Sequence, residues 1–139
     1  MINNIKDLLI LHEGVRQFPY EDTVGKVTIG VGFNLTDVGL LPEEIDFILE
    51  NRINRTKAEV HEAFPWFSSL DEVRQAVVVD MAYNMGLPVL KQFRNTLAYI
   101  QEGNYTAAAR NMLMSKWAQQ VKGRAKRLAR MMETGLWPE

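Results

Sequence analysis

The rhythm of apolar and polar positions changes twice along this chain. Ile5, Leu8, Leu9 and His12 share one helical face, with Asn3 or Asn4 placed to cap the segment and Gly14 to end it. That predicts a helix over 3–12. Between residues 15 and 35 the period shortens. Gln17–Tyr20 and Lys26–Val31 are β-prone runs around Glu21-Asp22-Thr23-Val24-Gly25, the pattern of a hairpin and its turn. Gly30, Gly32 and Asn34 mark a further tight bend.

Helical spacing returns at Leu41-Pro42-Glu43-Glu44, with proline in the first turn and acids near the positive end of the dipole. Ile45, Leu49, Ile53, Thr56, Val60 and Phe64 form one stripe, which Phe64-Pro65 terminates. A helix over 42–64 is long enough to join two lobes. Asp71 caps a third helix, Glu72–Met85, stopped by Gly86. Val73, Ala76–Val79, Met81 and Ala82 make it apolar on most sides. Three consecutive valines alone would suit a strand, but the length and both caps favour a buried central helix. Shorter helical pieces follow near 88–92, 95–102, 106–114 and 123–133, punctuated by Gly103, Gly123 and Gly135. The pattern predicts a single α+β domain. Its parts are a small β lobe over about 14–41, a connecting helix over 42–64, and a helical lobe over 65–139 that includes the N-terminal helix.

Composition narrows the class. With 139 residues, 47% hydrophobic and 24% charged, the chain has ordinary globular proportions. It contains no cysteine, so no disulfide framework and no thiolate metal site. No segment approaches the ~18 apolar residues of a membrane span. Leu8–Leu11 is too short for a signal-peptide core and has no small-residue cleavage site after it. Net charge is only −1, but it is unevenly spread: residues 1–90 hold 7 Lys/Arg against 14 Asp/Glu, and residues 91–139 hold 9 against 3. Such asymmetry suits a face that meets an anionic polymer, though a solvated helix face explains it equally well.

Candidate chemistry gathers near the first helix. Glu13 lies at its end, facing the negative pole of the dipole, a placement that suits a group that must hold a proton and deliver it. Asp22 sits in the turn and Thr28 on the returning strand, so a helix–hairpin arrangement brings all three around one cleft. Two carboxyls flanking a bond are what glycoside hydrolysis requires. By spacing alone this signal is weak, since a lone Glu and a turn Asp are ordinarily surface residues. Other patterns fall away. His12-Glu13 and His61-Glu62 begin like a zinc-binding helix but lack its second histidine. Gly30-x-Gly32 lacks the third glycine of a dinucleotide loop, and Ser115 has no His–Asp pair nearby. Met112, Met114, Met131 and Met132 fit core filling, and Trp66, Trp117 and Trp137 fit packing rather than sugar stacking.

The residues around Glu13 are nonetheless specific. Glu13-Gly14, Tyr20-x-Asp22-Thr23-x-Gly25 and Thr28-Ile29-Gly30-x-Gly32 together resemble the active-site region of T-even bacteriophage lysozymes. The resemblance continues through Ser69-Leu70-Asp71-x-Val73-Arg74, Asn84-Met85-Gly86 and Phe93-x-Asn95-x-Leu97. Asn111, Ser115-Lys116-Trp117, Arg124–Arg127 and Thr134-Gly135-x-Trp137 complete it, in register over nearly the whole chain. It implies a lysozyme-like fold and an inverting muramidase without cofactor or metal. Glu13 would be the general acid, Asp22 would stabilise the transition state and hold the attacking water, and Thr28 would hydrogen-bond that water. Phe33, Asn84, Asn111 and Arg124 would meet substrate, Arg124 reaching Glu13 across the cleft.

Several positions depart from that pattern. Phe33 stands where the family commonly has histidine, Asn84 where it has glutamine, and Val121 where it has a cleft threonine. The stretch Asp37–Leu41 is much shorter, and the family's strong positive charge is absent. The expected function is hydrolysis of β-1,4 bonds between N-acetylmuramic acid and N-acetylglucosamine by a monomer. The enzyme would stay in the host cytoplasm until released to the wall, with no nucleic-acid or stable membrane partner. Two rivals remain: a lytic transglycosylase acting on the same bond, and a non-catalytic wall- or nucleic-acid-binding module built on the basic segment Lys122–Arg130.

Overall fold

The computed structural model describes residues 1–139 as eight α-helices, one 3-10 turn and a three-stranded antiparallel sheet. The chain is α+β, as its pattern predicts. Its contacts group into two compact units, Met1–Leu49 and Glu50–Glu139.

In the first unit, helix α1 spans Ile5–Glu13. Asn4 Oδ1 accepts the Asp7 N–H at 2.8 Å, and the Gly14 N–H donates to the Ile10 carbonyl at 2.8 Å. Gly14 ends the helix at a φ of 75°, a conformation that glycine adopts without steric cost. Strand β1, Arg16–Glu21, pairs antiparallel with β2, Val27–Gly30, placing Tyr20 opposite Thr28. β1 lies at the sheet edge, where Pro19 costs no ladder hydrogen bond that a central strand would need. A third strand, β3, covers only Phe33–Asn34, which lie opposite Ile29 and Thr28. The sequence pattern shows a bend here and no strand, because two residues are too few for an alternation.

The short connection 35–41 is held by polar side chains. Thr36 Oγ1 accepts the Val27 N–H at 2.8 Å, Asn34 Oδ1 accepts the Asp37 N–H at 2.9 Å, and Lys26 pairs with Asp37 at 3.2 Å. Helix α2 then runs through Pro42–Ala63, 22 residues, with Glu44 Oε1 accepting the Leu41 N–H at 2.7 Å in the manner of a capping box.

The second unit holds the apolar core. After a 3-10 turn at Pro65–Ser69, helix α3, Glu72–Met85, buries Val73, Val77, Val78, Val79, Met81 and Ala82. Asp71 caps it through its carboxylate and Gly86 ends it, as predicted. Short helices follow: α4 Leu87–Leu90, α5 Arg94–Glu102, α6 Tyr105–Leu113, α7 Lys116–Val121 and α8 Gly123–Thr134. α6 packs against α5 and α8, and α3 packs against α8. Val77, Met112, Ala125 and Met132 are fully buried among them. Helix α7 has no counterpart in the pattern; Ser115 Oγ caps it by accepting the Ala118 N–H at 3.1 Å. Gly123 opens α8 instead of breaking the chain before it. The break falls on Lys122, which alone among non-glycine residues has a positive φ, 47°. Met112, Met131 and Met132 are core residues as expected, but Met114 and Trp137 are exposed.

Arg74 locks the end of α8 to the start of α3. Its Nε donates to the Met132 carbonyl at 2.7 Å and its Nη2 to that of Glu133 at 3.0 Å, satisfying two carbonyls of the last turn. Nη1 reaches Asp71 at 3.1 Å, and the guanidinium lies 3.7 Å from the centre of the Tyr105 ring. Asp71 titrates below its ordinary value. Burial alone would raise it, but the Arg74 backbone N–H, side-chain bond and charge outweigh that.

Candidate active site

Glu13 is the last residue of α1, so its side chain leaves the helix just before the backbone turns at Gly14. Its carboxylate rests over the bare Cα of Gly32 in the β2–β3 turn. A Cβ built on Gly32 would lie 2.5 Å from Glu13 Oε2 and 2.7 Å from its Cδ. Glycine at 32 thus serves twice: a Cβ here would push the Glu13 side chain aside, and the φ of 67° favours glycine. Helix end and sheet turn are brought together at that point.

Asp22 and Thr28 are joined through the peptide of Lys26. Asp22 Oδ1 accepts the N–H groups of Val24 and Lys26, each at 2.9 Å, the pattern of an Asx turn. The Asp22 N–H donates to the Lys26 carbonyl at 2.9 Å, and Thr28 Oγ1 donates to that same carbonyl at 3.0 Å. The turn amides hold Oδ1 and leave Oδ2 without a protein partner. Thr28 is 3% exposed, on the central strand between Tyr20 and Asn34. With its proton committed to Lys26, its oxygen keeps lone pairs that accept a hydrogen bond. Phe33 is exposed, and its ring lies against the bare Cα of Gly30, where a Cβ would collide with it. The first unit thus holds Glu13 at the end of α1 and Asp22, Thr28 and Phe33 on the sheet and its turn.

The remaining candidates stand in the second unit. Asn84, near the end of α3, accepts the Trp117 indole N–H on its Oδ1 at 2.9 Å. Asn111 on α6 accepts the hydroxyl of buried Thr96 at 2.7 Å, which fixes its amide orientation. Asn111 lines an open cleft of about 740 Å³ together with Phe93, Arg94, Ser115, Lys116 and Trp117. Arg124 on α8 is held by Asp80 of α3, with Nε at 2.9 Å and Nη2 at 2.8 Å from Oδ1. Both partners are partly exposed.

Sequence reasoning did not single out Gly32 as the seat of Glu13, nor Lys26, Thr96 or Asp80 as supports. Gly32 carried a detectable signal, since a second glycine two residues after Gly30 implies a close approach as well as a bend. Asp80 carried none, lying 44 residues from Arg124.

The chain is similar in sequence to known proteins over nearly its whole length. The chain is 26% identical to "Probable T4-type lysozyme 1" of Dictyostelium discoideum, covering 97% of this chain and 96% of that protein. It is 27% identical to "Probable T4-type lysozyme 2" of the same organism, over 100% of this chain and 99% of that one. The "Pre-baseplate central spike protein Gp5" of Enterobacteria phage T4 is 25% identical over 95% of this chain, which matches 28% of its length. The first two alignments span 165 and 169 positions, so those relatives carry residues this chain of 139 lacks. The phage lysozyme family pattern matches residues 11–133, from just before Glu13 to the last turn of α8, and on that match the chain belongs to the phage lysozyme family.

Proposed function

We propose that the chain is a muramidase, the specific form of the peptidoglycan hydrolysis that goes with its family. It cleaves the β-1,4 bond between N-acetylmuramic acid and N-acetylglucosamine by a single displacement. Glu13 protonates the departing glycosidic oxygen. Asp22, through the oxygen that the turn amides leave free, stabilises the oxocarbenium-like transition state and orients the water. Thr28 accepts a hydrogen bond from that water while its own proton stays on the Lys26 carbonyl. The anomeric carbon inverts, because water attacks the face opposite the leaving group. Phe33, Asn84, Asn111 and Arg124 bind the glycan or its stem peptide. The protein works as a monomer, needs no cofactor, and meets its substrate after release from the cytoplasm in which it is made.

One observation carries this reading above the others. Glu13 seats on the same small sheet that fixes Asp22 and Thr28 around the backbone of Lys26. A non-catalytic binding module has no use for that combination. A transglycosylase needs the acid but not a place for water, so the held Thr28 oxygen and the free Asp22 oxygen favour the hydrolase.

Digestion of purified peptidoglycan in ¹⁸O-labelled water tests this directly. Reducing ends carrying the label, detected by mass spectrometry, are the expected result. Predominantly 1,6-anhydro ends without label would transfer the case to the transglycosylase.

A further inference from the structure

Helix α8 has two faces, and only one is used by the fold. Ala125, Leu128, Ala129 and Met132 face inward and are buried. Lys126, Arg127 and Arg130 face outward and form no ion pair and no side-chain hydrogen bond. Arg74 and Arg124, by contrast, are paired with Asp71 and Asp80. Lys126 and Arg130 form a ridge between two shallow grooves. One, about 380 Å³, is completed by Arg127, Met131 and Trp137. The other, about 550 Å³, is completed by Arg110, Leu113 and Ala129. Against these four cations the groove rims carry two acids, Glu133 and Glu139.

We propose that this ridge is a second binding site, which takes a phosphodiester polymer attached to the bacterial wall. It rests on the wall being the target, as proposed above, and on no catalytic residue. Lys126 and Arg130 are one helical turn apart, about 6 Å along the axis, a spacing comparable to that of successive phosphates in an extended phosphodiester chain. Arginine's planar fork suits phosphate oxygens, and two or three such contacts made together give binding that one exposed pair does not. The exposed Leu136 and Trp137 offer apolar surface to the polyol or sugar between phosphates. A lipid surface fits less well. An interfacial helix inserts its apolar face, and the apolar face of α8 is already committed to the core. The carboxylates of stem peptides are too sparse along a glycan to match a row of cations one turn apart.

Titration with purified poly(glycerol phosphate) at low salt tests the proposal, comparing the intact chain with a Lys126→Glu/Arg130→Glu double variant. The wild type should bind, and the double variant should bind about tenfold more weakly or less, with added salt shrinking the difference. A Lys126→Gln/Arg130→Gln variant, which removes charge without reversing it, should show an intermediate loss and guards against misfolding in the first. All three should digest polymer-free peptidoglycan at one rate. Failure of that digestion in every protein would overturn the muramidase reading and leave the titration to decide the ridge by itself. Equal affinity of the wild type and both folded variants for the polymer would overturn the ridge. So would wild-type binding to anionic vesicles or duplex DNA with none to the polymer.

Discussion

The two units hold their structure by different means. In Met1–Leu49 a single residue, Thr28, is buried, and the backbone is fixed by polar side chains that reach it: Asn4, Asp22, Asn34, Thr36 and Glu44. In Glu50–Glu139 the framework is apolar, with 21 buried hydrophobic residues from Val60 to Met132. Charge divides the same way: residues 1–49 carry 3 Lys/Arg against 8 Asp/Glu, and residues 50–139 carry 13 against 9. Hydrogen bonds are directional and place a carboxylate or hydroxyl accurately; apolar burial is not directional and supplies stability. The proposed acid chemistry belongs to the first kind of structure.

Two substitutions, one in each unit, test that division most severely. Glu13→Gln keeps the side chain's shape but removes its transferable proton. Turbidity clearing of peptidoglycan should fall by ~100-fold or more, with melting temperature unchanged. Met112→Ala empties a fully buried position and should cost about 2–5 kcal/mol of unfolding free energy by denaturant titration. Its specific activity, measured well below its transition, should match wild type. A Gln variant that unfolds early, or a Met112 variant that stays folded but inactive, would break the comparison.

A finer test lies in the glycines. Gly32→Ala should cost about 1–2 kcal/mol through its φ, and in addition displace Glu13, lowering clearing roughly tenfold. Gly39→Ala is the control, because Gly39 has the same φ of 67° but nothing within 4 Å of an added Cβ. It should lose similar stability and keep its activity. Equal activity loss in both variants would remove Glu13's seat from the argument.

The smallest effect concerns Asp71. Its carboxyl titrates below the ordinary 3.8 in the folded chain, so its charge adds stability that is present above that value. That contribution is lost as pH falls through the depressed folded value. Asparagine caps a helix about as well as aspartate, so Asp71→Asn isolates the charge. We expect a deficit of roughly 0.5 kcal/mol that is constant above about pH 5 and vanishes in strong acid. A deficit that grows on acidification would contradict it.

What was legible in the sequence follows from how far apart the cooperating residues lie. Helix α3 declares itself because Asp71 and Gly86 sit directly at its ends. Helix α7 does not, since Ser115 caps only six residues and the preceding helix masks the pattern. Strand β3 exists only because Thr28 and Ile29 are already in place to pair with it. In the candidate site, Glu13, Asp22 and Thr28 stand out through a motif confined to 20 residues. The hub role of Lys26 is carried by its backbone, which no side-chain pattern reports. Arg124–Asp80 and Thr96–Asn111 are long-range pairs, and their partners emerge only after folding. Trp137 and Met114 show the opposite failure, since residue type suggested burial and the folded surface left them out.

Arg74 brings a consequence for how the chain is made. Its carbonyl partners, Met132 and Glu133, lie 58 and 59 residues further along, and Gly135, with a φ of 70°, leaves room for the guanidinium where a Cβ would crowd it. During synthesis α3 therefore emerges with its arginine unpartnered, and the helical unit completes its packing only when α8 has left the ribosome. Contacts that distant in sequence form late and slow the search for the native state. Until then the valines of α3 have no final cover, and the nascent chain, more than the folded protein, is the species most exposed to aggregation.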